Sequence, residues 1–298
     1  MPLSWHSRSS MPELPEVETV RRGVDSSVVG KVITDVEVGR ERSVRRVGKE
    51  AVINGLRGGK VIGTRRHAKY LMVDLDNDHS MMIHLRMSGR LILNSTLDPR
   101  LPHTHVVMHL ASARGRKANQ ELRFVDPRTF GEVVVYPTEL EAEIVPEISA
   151  LGVDPINSTL DPSAMHVALR TKRAPIKAVL LSQRPVSGIG NIYADEILHR
   201  SHVHPRRAAN RLSAAKVGEI CNQTVAVLTE AVALGGSTLV DTQYVGLDGS
   251  YGGYQDEHLA YGREDEPCLT CASVGREKLI KRIQVAGRST FFCPFCQR

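Results

Sequence analysis

The sequence predicts an α+β protein with an amino-terminal antiparallel β-sandwich, a helical second part and a carboxyl-terminal cysteine module. Eight short runs of β-type residues follow one another at regular spacing, separated by turn signals such as Gly58-Gly59, which is typical of two packed antiparallel sheets. After Pro162 the apolar residues recur at helical spacing instead. Two Cys-x2-Cys pairs then end the sequence.

A helix is expected ahead of the strands. Apolar residues recur at helical spacing from Val17 to Val28, directly after Pro15, and Gly30 ends the run. The Asn54-Gly55 pair is interpreted as a turn, and the basic residues between 40 and 49 as a solvated loop. The expected strands are 31–38, 60–64, 70–76, 81–85, 90–93, 105–110, 122–125 and 132–136.

The second part is expected to be mainly helical. Residues 146–162 contain Gly152 and several prolines and predict a linker, so the domains are expected at 11–145, 163–263 and 264–298. Helices are predicted over 163–169, 176–181, 191–200 and 213–233. Residues 235–262 are rich in glycine and tyrosine and predict a mobile segment, a candidate lid.

Composition favours a soluble, cytoplasmic protein with an anionic partner. The 298 residues include 24% charged and 41% hydrophobic ones, which is ordinary for globular domains. No apolar run reaches the roughly 18 residues of a membrane span. The net charge of +6 makes nucleic acid the leading partner class.

The spacing of four cysteines predicts a metal site. Cys268 and Cys271 are followed, after 21 intervening residues, by Cys293 and Cys296. Four thiolates in this pattern suit one structural Zn2+ ion. A disulfide pair is the alternative, but no secretory signal accompanies it. The fifth cysteine, Cys221, lies in a helical stretch and is expected to be a small buried residue.

Met11-Pro12-Glu13 predicts an unusual nucleophile, provided that Pro12 becomes the first residue. An α-amine has a pKa near ~7.7–8.0 and a lysine near ~10.4, so a terminal amine is neutral far more often at pH 7. A secondary amine can form an iminium with a sugar aldehyde carbon. The alternative is that Pro12 and Pro15 only start a helix.

Residues 1–10 stand in the way of this chemistry, because they place the nitrogen of Pro12 in an amide. They lack the apolar core of a signal peptide. We expect them to be an upstream start assignment or a non-native, disordered leader, and with them in place the lyase chemistry is lost.

A second motif predicts phosphate binding. Gly188 and Gly190 directly precede a helix that begins with Asn191, and such a loop lets backbone N–H groups approach a phosphate. Lys172 and Lys177 lie upstream. In isolation, either lysine is interpreted as a surface cation.

Six motifs in the same order resemble the formamidopyrimidine-DNA glycosylases, and together they extend from Met11 to Arg298. The first motif is Met11-Pro-Glu-Leu-Pro-Glu-Val-Glu-Thr-Val-Arg-Arg-Gly23. The others lie at 65–70, 84–89, 126–131 and 184–196 and in the cysteine module. The departures are residues 1–10, Arg86 within the fourth-strand motif and about five extra residues between the cysteine pairs.

The resemblance implies a bifunctional base excision repair enzyme with a helix–two-turn–helix domain and a zinc-finger hairpin. Such an enzyme excises 8-oxoguanine and formamidopyrimidines and then cuts the strand by β,δ-elimination. The family pattern assigns Pro12 as the Schiff-base nucleophile and Glu13 as its proton-transfer partner. It assigns Lys69 and Arg288 to the elimination steps.

The resemblance also implies the DNA contacts. A ring and a thioether inserted into the duplex replace lost stacking, and a guanidinium offers donors to the orphaned base. The expected partner is damaged double-stranded DNA, bound by a monomer. The implied wedge residues are Met87, Arg128 and Phe130, and the implied DNA-binding residues are His84, His103, Arg128, Lys172 and Asn191.

Two alternatives stay open at this point. An endonuclease VIII-like enzyme for oxidised pyrimidines shares the nucleophile and fold, although Leu14 with Glu16-Val-Glu-Thr, and Arg128-Thr-Phe130, favour the purine enzyme. A zinc-dependent DNA-binding protein without catalysis is the other alternative, if residues 1–10 block Pro12.

Overall fold

The computed structural model describes residues 11–112, 119–239 and 244–298. The expected leader, residues 1–10, lies outside the described residues. The chain forms two compact units, the first up to Ser149 with Gly235–Gly252, and the second comprising Ala150–Leu234 and Gly253–Arg298. The finer domain limits given above stay a prediction.

The first unit is the predicted two-sheet sandwich. One sheet has the strand order β1-β6-β7-β5, the other has the order β2-β3-β4-β8, and every pair is antiparallel. The strands are β1 Lys31–Val38, β2 Val61–His67, β3 Tyr70–Leu75, β4 His79–His84, β5 Arg90–Ser95, β6 Thr104–Ser112, β7 Gln120–Val125 and β8 Glu132–Pro137. All eight lie where the alternation of apolar residues predicts them.

One apolar core joins the two sheets to the first helix, α1 (Leu14–Val28). The side chains of Val17, Val20 and Val24 are buried in it together with residues from both sheets, including Phe124 and Ile83. Burial of side chains of this size is the main favourable term in folding. The start of α1 is thereby fixed against the sandwich.

The interpretation of Asn54-Gly55 as a turn is wrong. Both residues lie inside α2 (Lys49–Leu56). A Cβ atom on Gly55 would lie 2.6 Å from Cγ1 of Val135, so the glycine is there because α2 packs closely on β8. The basic loop is also not simply solvated, since Arg45 and Arg46 form ion pairs with the buried Glu132.

The second unit contains the predicted helices and a two-stranded hairpin. No helix in the described ranges is long and apolar enough to span a membrane. In the described residues, the remaining α-helices of the first unit are α3 Glu141–Ile144 and α4 Pro146–Ser149. Those of the second unit are α5 Pro162–Leu169, α6 Ile176–Leu181, α7 Asn191–Arg200, α8 Ala214–Ala233 and α9 Leu269–Ala272, and its hairpin strands are β9 Lys281–Val285 and β10 Arg288–Phe292. As expected, Cys221 is buried in α8.

Part of the expected mobile segment is packed into the sandwich core, although residues 248–251 are exposed. Leu247 is buried, and its carbonyl accepts the Leu93 N–H at 3.0 Å. Gly23 in α1 leaves room for it, because a Cβ there would lie 2.8 Å from the Cβ of Leu247. Residues 240–243, which belong to the candidate lid, lie outside the described residues.

Candidate functional site

The first turn of α1 holds Pro12 in place. Pro12 and Glu13 are both buried, and Glu13 is the residue that precedes the helix. The Glu13 N–H donates to Oε2 of Glu16 at 2.8 Å. This hydrogen bond satisfies a backbone donor that the helix leaves unpaired, and it fixes the backbone next to the proline nitrogen.

Glu16 joins this turn to the segment after residue 234, within the first unit. Its Oε1 accepts the Ser237 N–H at 2.7 Å, and the Tyr244 hydroxyl donates to its carbonyl at 3.1 Å. Only 2% of Glu16 is exposed. A buried carboxylate needs several donors, and here they come from two distant stretches of chain. Sequence reasoning gave Glu16 no role, although the Glu13-x-x-Glu16 spacing is that of a capping box.

Lys69 lies at the tip of the β2–β3 hairpin and is buried. Ala68, before it, has φ +53°. The fully buried Arg66 guanidinium donates to Glu18 on α1 at 2.9 Å and to the Ala68 carbonyl at 3.0 Å. It therefore ties the turn that carries Lys69 to the helix that begins after Pro12.

The carboxylate of Glu18 is held in its ionised form. Burial by itself raises the pKa of Glu18, but hydrogen bonds from Arg21, Arg66 and Arg22 outweigh it and lower the pKa to about 2. The charge is therefore present throughout the neutral range, where it balances the buried Arg66.

His84 lies next to this cluster and is neutral. Burial, together with the positive charges of Arg86 and Lys69, lowers the pKa of His84 well below its usual value. The Arg86 N–H donates to Nδ1 of His84 at 3.0 Å. A neutral ring that accepts at Nδ1 carries its hydrogen on Nε2, so His84 can donate one hydrogen bond to a phosphate oxygen.

Asp126 organises the loop that carries two of the predicted wedge residues. Its carboxylate accepts the Gly131 N–H at 2.7 Å and the Arg128 N–H at 3.2 Å. Ser88, beside Met87, also donates to it. The buried carboxylate thus connects the turn after β4 with the loop between β7 and β8. The motif contains Asp126, but sequence reasoning gave it no role.

The wedge residues are not core residues. Phe130 is 40% exposed, Arg128 is exposed and Met87 is half-buried. The guanidinium carbon of Arg128 lies 5.2 Å from the centroid of the Phe130 ring, which is a cation–π distance. An exposed ring beside a cation, and a thioether that is only half-buried, suit insertion between bases.

Left-handed backbone conformations cluster in these loops. Arg86, His103 and Thr129 have φ values of +53°, +66° and +57°. Such conformations cost free energy for residues other than glycine and persist where the surroundings enforce them. One enforcing contact is the Asp126 N–H, which donates to the His103 carbonyl at 3.0 Å. His103 itself is exposed.

In the second unit, Gln183 shapes the loop before α7. Its side chain accepts the Gly188 N–H at 2.8 Å and donates to the Ile189 carbonyl at 2.6 Å. Gly188 has φ +86°, which favours glycine. Asn191 follows as the first residue of α7. The Gln183 side chain therefore fixes the backbone of the predicted phosphate-binding turn.

Asn191 is joined to the hairpin that carries Arg288. Its Nδ2 donates to the Ser289 carbonyl at 3.0 Å, which leaves the second hydrogen of this amide nitrogen for another acceptor. The β9–β10 turn has φ +48° at Ala286 and +72° at Gly287, as in a type I′ hairpin. Arg288 follows this turn and is exposed.

The interpretation of Lys177 as a surface cation is wrong. Lys177 is fully buried and forms a 2.7 Å ion pair with Asp195. It also donates to Thr290 Oγ1 at 2.9 Å, while the other oxygen of Asp195 accepts the Phe291 N–H at 2.9 Å. The pair therefore fastens β10 to α6 and α7. Lys172 is exposed, as predicted.

The four cysteines form a cluster that could hold a metal ion. Their sulfurs all lie within 4.8 Å of one another. The Sγ atoms of Cys268 and Cys296 are 3.9 Å apart, and those of Cys271 and Cys293 are 3.7 Å apart. A tetrahedral ion at ~2.3 Å from each sulfur requires about 3.8 Å between sulfurs. The disulfide alternative is wrong for the described cluster, because the sulfurs are too far apart.

Comparison with known proteins identifies the family. Residues 11–133 match the formamidopyrimidine-DNA glycosylase N-terminal domain, and residues 151–243 match the formamidopyrimidine-DNA glycosylase H2TH domain. This chain belongs to the formamidopyrimidine-DNA glycosylase family. Relatives of that name from Gluconobacter oxydans and Geobacillus kaustophilus are each 40% identical to it, over 97% of this chain and 100% of theirs.

Solved structures of this glycosylase family share the fold. A Lactococcus lactis Fpg variant in complex with Fapy-dG DNA has a TM-score of 0.87 and 34% identity, over 96% of this chain and 100% of that chain. Wild-type Lactococcus lactis Fpg with oxidised-pyrimidine DNA has a TM-score of 0.85 and 33% identity, over the same shares. The expected α+β architecture and family are confirmed.

Within each unit, the structure links most of the predicted residues. In the first unit, α1 and Arg66 fix the surroundings of Pro12 and Lys69. Asp126 fixes the loop that carries Arg128 and Phe130. In the second unit, one connected region contains Asn191, strand β10, which begins at Arg288, and the cysteine cluster. Among the described residues, the exposed side chain of Lys172 makes no hydrogen bond or ion pair to that region. The catalytic and binding roles themselves stay predictions.

Proposed function

We propose that this chain is a DNA glycosylase and lyase of base excision repair that removes oxidised purines from duplex DNA, with Pro12 as its nucleophile. The observation that carries the proposal is the position of Pro12. It directly precedes the buried first turn of α1, and the family match begins one residue before it. The match covers 97% of this chain and the full length of these relatives.

The proposed first step joins the Pro12 nitrogen to C1′ of the damaged nucleotide. The bond between C1′ and the base breaks, the base leaves with a proton, and Glu13 mediates the proton transfers. Opening of the sugar gives an iminium between the nitrogen and C1′. The hydrogen bond from the Glu13 N–H to Glu16 supports this role, because it holds the nucleophile's neighbour in one conformation.

The iminium then makes strand cleavage possible. It acidifies the C2′ proton, whose loss breaks the C3′–O bond, and a second elimination breaks the C5′–O bond. We assign Lys69 and Arg288 to these steps. Lys69 is a buried cation on a turn tied to α1, and the exposed Arg288 is suited to a phosphate oxygen.

We assign DNA binding by a monomer to residues of both units. His84 and Asn191 each keep a hydrogen for an acceptor, and the exposed His103 and Lys172 add contacts to phosphate. After the base is turned out of the duplex, Met87, Arg128 and Phe130 fill the vacated stack. Extrusion costs a few kcal/mol, less at a damaged pair.

We propose Zn2+ as the ion of the cysteine cluster. Four thiolates without a carboxylate favour zinc over oxygen-seeking metals, and the sulfur separations fit a tetrahedral ion. The ion supplies no chemistry to the reaction. It holds the base of the hairpin whose turn precedes Arg288.

The test compares three proteins that differ only at the amino terminus. One begins at Pro12, one carries a single alanine ahead of Pro12, and one begins at Met1. Only the first is expected to excise 8-oxoguanine from a duplex and to form a borohydride-trapped adduct. Equal trapping by all three would exclude Pro12. Undamaged-duplex binding provides the control, because it needs no free amine.

Oxidised pyrimidines are a second candidate substrate. The Lactococcus lactis structure with oxidised-pyrimidine DNA favours some activity of this kind. We expect 8-oxoguanine to be excised faster than thymine glycol in matched duplexes. The reverse order would favour the endonuclease VIII-like alternative, and binding without excision of either would favour the non-catalytic one.

A further inference from the structure

The part of the cysteine module after Cys271 carries more positive charge than the proposed chemistry uses. From Ala272 to Arg298 the sequence has six lysines and arginines but only one acidic residue, Glu277. Residues 272–279 are all exposed. This is also where the sequence suggests extra length relative to the family pattern. Arg288 accounts for only one of these cations.

Three of the cations gather around one aromatic ring. The Phe295 ring centroid lies 5.2 Å from the guanidinium carbon of Arg276, 5.1 Å from Nζ of Lys278 and 5.3 Å from the guanidinium carbon of Arg298. Any two of these charges are therefore within about 10.5 Å of each other. We call Arg276, Lys278, Phe295 and Arg298 the knuckle cluster.

The backbone beneath the knuckle cluster is held to the cysteines. The Cys268 N–H donates to the Lys278 carbonyl at 2.7 Å, and the Arg276 N–H donates to the Cys271 carbonyl at 3.0 Å. The cations thus project from a fixed frame rather than from a loose loop. Arg207 lies close as well, since its Nη1 donates to the main-chain oxygen of Arg298 at 3.2 Å.

Carboxylates do not neutralise these charges in the described residues. The ion pairs of this module join Arg263 to Glu266, Lys281 to Asp265, and Arg282 to Glu264. None of them includes a cation of the knuckle cluster. A ring face attracts cations but carries no net charge, so mutual repulsion remains until an anion binds.

The knuckle cluster lies away from Arg288 along the hairpin. Strand β10 has five residues from Arg288 to Phe292, and Phe295 follows its far end. At ~3.3 Å per residue the strand separates its two ends by roughly 13 Å or more. The cluster is therefore a different surface from the turn that presents Arg288.

We propose that the knuckle cluster is a second phosphate-binding surface, which grips duplex DNA outside the segment that contains the lesion. Each strand of B-DNA carries a phosphate per ~3.4 Å of axis, so three cations within this span can contact two or three successive phosphates. The contact is independent of sequence. It rests on the proposed function only in taking duplex DNA as the partner.

The experiment measures the binding of two 8-oxoguanine duplexes, of about 12 and about 40 base pairs, across a salt series. The variant is the triple substitution Arg276→Gln, Lys278→Gln and Arg298→Gln. On the long duplex we expect roughly 10-fold weaker binding at low salt and a salt slope smaller by about 2 to 3. On the short duplex binding is unchanged, and excision at saturation is unchanged on both.

Two controls separate charge from folding. The triple substitution Arg276→Lys, Lys278→Arg and Arg298→Lys keeps all charges and should bind the long duplex like the parent protein. Zinc content of the glutamine variant should equal that of the parent. Phe295→Leu keeps the cations but removes the ring that gathers them, and a smaller loss on the long duplex is expected.

Equal losses on both duplexes would overturn the proposal, because the cations would then act at the lesion site or through net charge. No loss on either duplex would overturn it too. Undamaged duplexes of about 12 and about 40 base pairs give the same comparison without catalysis. If the parent protein excises nothing and the glutamine variant still loses affinity only for the long duplex, the proposed function alone is contradicted.

Discussion

The start of α1 and the tip of the β9–β10 hairpin both carry proposed catalytic groups, but they are fixed in different ways. Around Pro12 and Lys69, buried carboxylates and a buried arginine form the hydrogen bonds. At the hairpin tip, Arg288 is exposed, and its strand is fastened from behind by Lys177, Asp195 and the cysteine cluster. A group that attacks carbon needs a fixed, water-poor position, whereas a group that meets phosphate works from the surface.

Removal of one thiolate breaks the hairpin region and should have the largest effect. Cys293→Ser leaves three thiolates, and structural zinc contributes about 10–16 kcal/mol to the folding of isolated zinc fingers. We expect metal analysis to show that zinc is lost. DNA affinity should fall strongly, because strand β10, which begins at Arg288, is no longer held. Cys221→Ser is the matched control and should keep both. Full affinity without zinc would show that the hairpin does not depend on the ion.

Loss of the Asp126 carboxylate loosens the wedge loop in the first unit. Asp126→Ala leaves the N–H groups of Arg128 and Gly131 without their acceptor, at a cost of about 1–3 kcal/mol. We expect excision from a paired duplex to fall about 10-fold, measured in single turnover.

Cleavage at a preformed abasic site should change less in this variant, because no base has to be displaced. Asp126→Asn keeps one acceptor oxygen and should lie between the parent and the alanine variant. An equal loss of excision and abasic-site cleavage would mean that Asp126 acts on the chemistry rather than on the wedge.

A smaller effect is expected from the Glu18–Arg66 ion pair, which joins α1 to the turn that carries Lys69. It is an effect on stability. Because the pKa of Glu18 is about 2 in the folded protein against 4.5 ordinarily, its contribution is complete above pH 4.5 and disappears as the pH falls to about 2. It amounts to about 3 kcal/mol at most. The difference in the free energy of unfolding between the parent and Glu18→Gln should therefore shrink over that range.

Glu50→Gln, at an exposed position of α2, is the control and should show no such trend. A gap between the parent and Glu18→Gln that stays constant from pH 5 to about 2 would contradict the assignment of the ionised carboxylate to the Arg66 pair.

Local patterns predicted most of the fold. The alternation of apolar residues located all eight strands of the sandwich, and helical spacing located α1 and α5 to α8. The prediction of a turn at Gly55 failed because this position needs glycine for the close approach to Val135. That contact joins residues 80 positions apart, and no local pattern contains it.

The site was predicted less completely, for the same reason. Motifs pointed to the exposed residues Arg128, Phe130 and Arg288, but not to the buried ones that hold them. Lys177 looked like a surface cation because its partners, Asp195 and Thr290, are distant in sequence. Asp126 acts mainly through backbone N–H groups, which carry no sequence signal. For Glu16 a signal did exist, because the Glu13-x-x-Glu16 spacing is that of a capping box.

The most direct test of the account identifies the atom that bonds to the sugar. The protein beginning at Pro12 is trapped with borohydride on an 8-oxoguanine duplex, digested and analysed by mass spectrometry. We predict a sugar adduct on the amino-terminal peptide at the nitrogen of Pro12, much weaker in Pro12→Gly. An adduct on Lys69, or full excision with no adduct at Pro12, would contradict this assignment of the nucleophile.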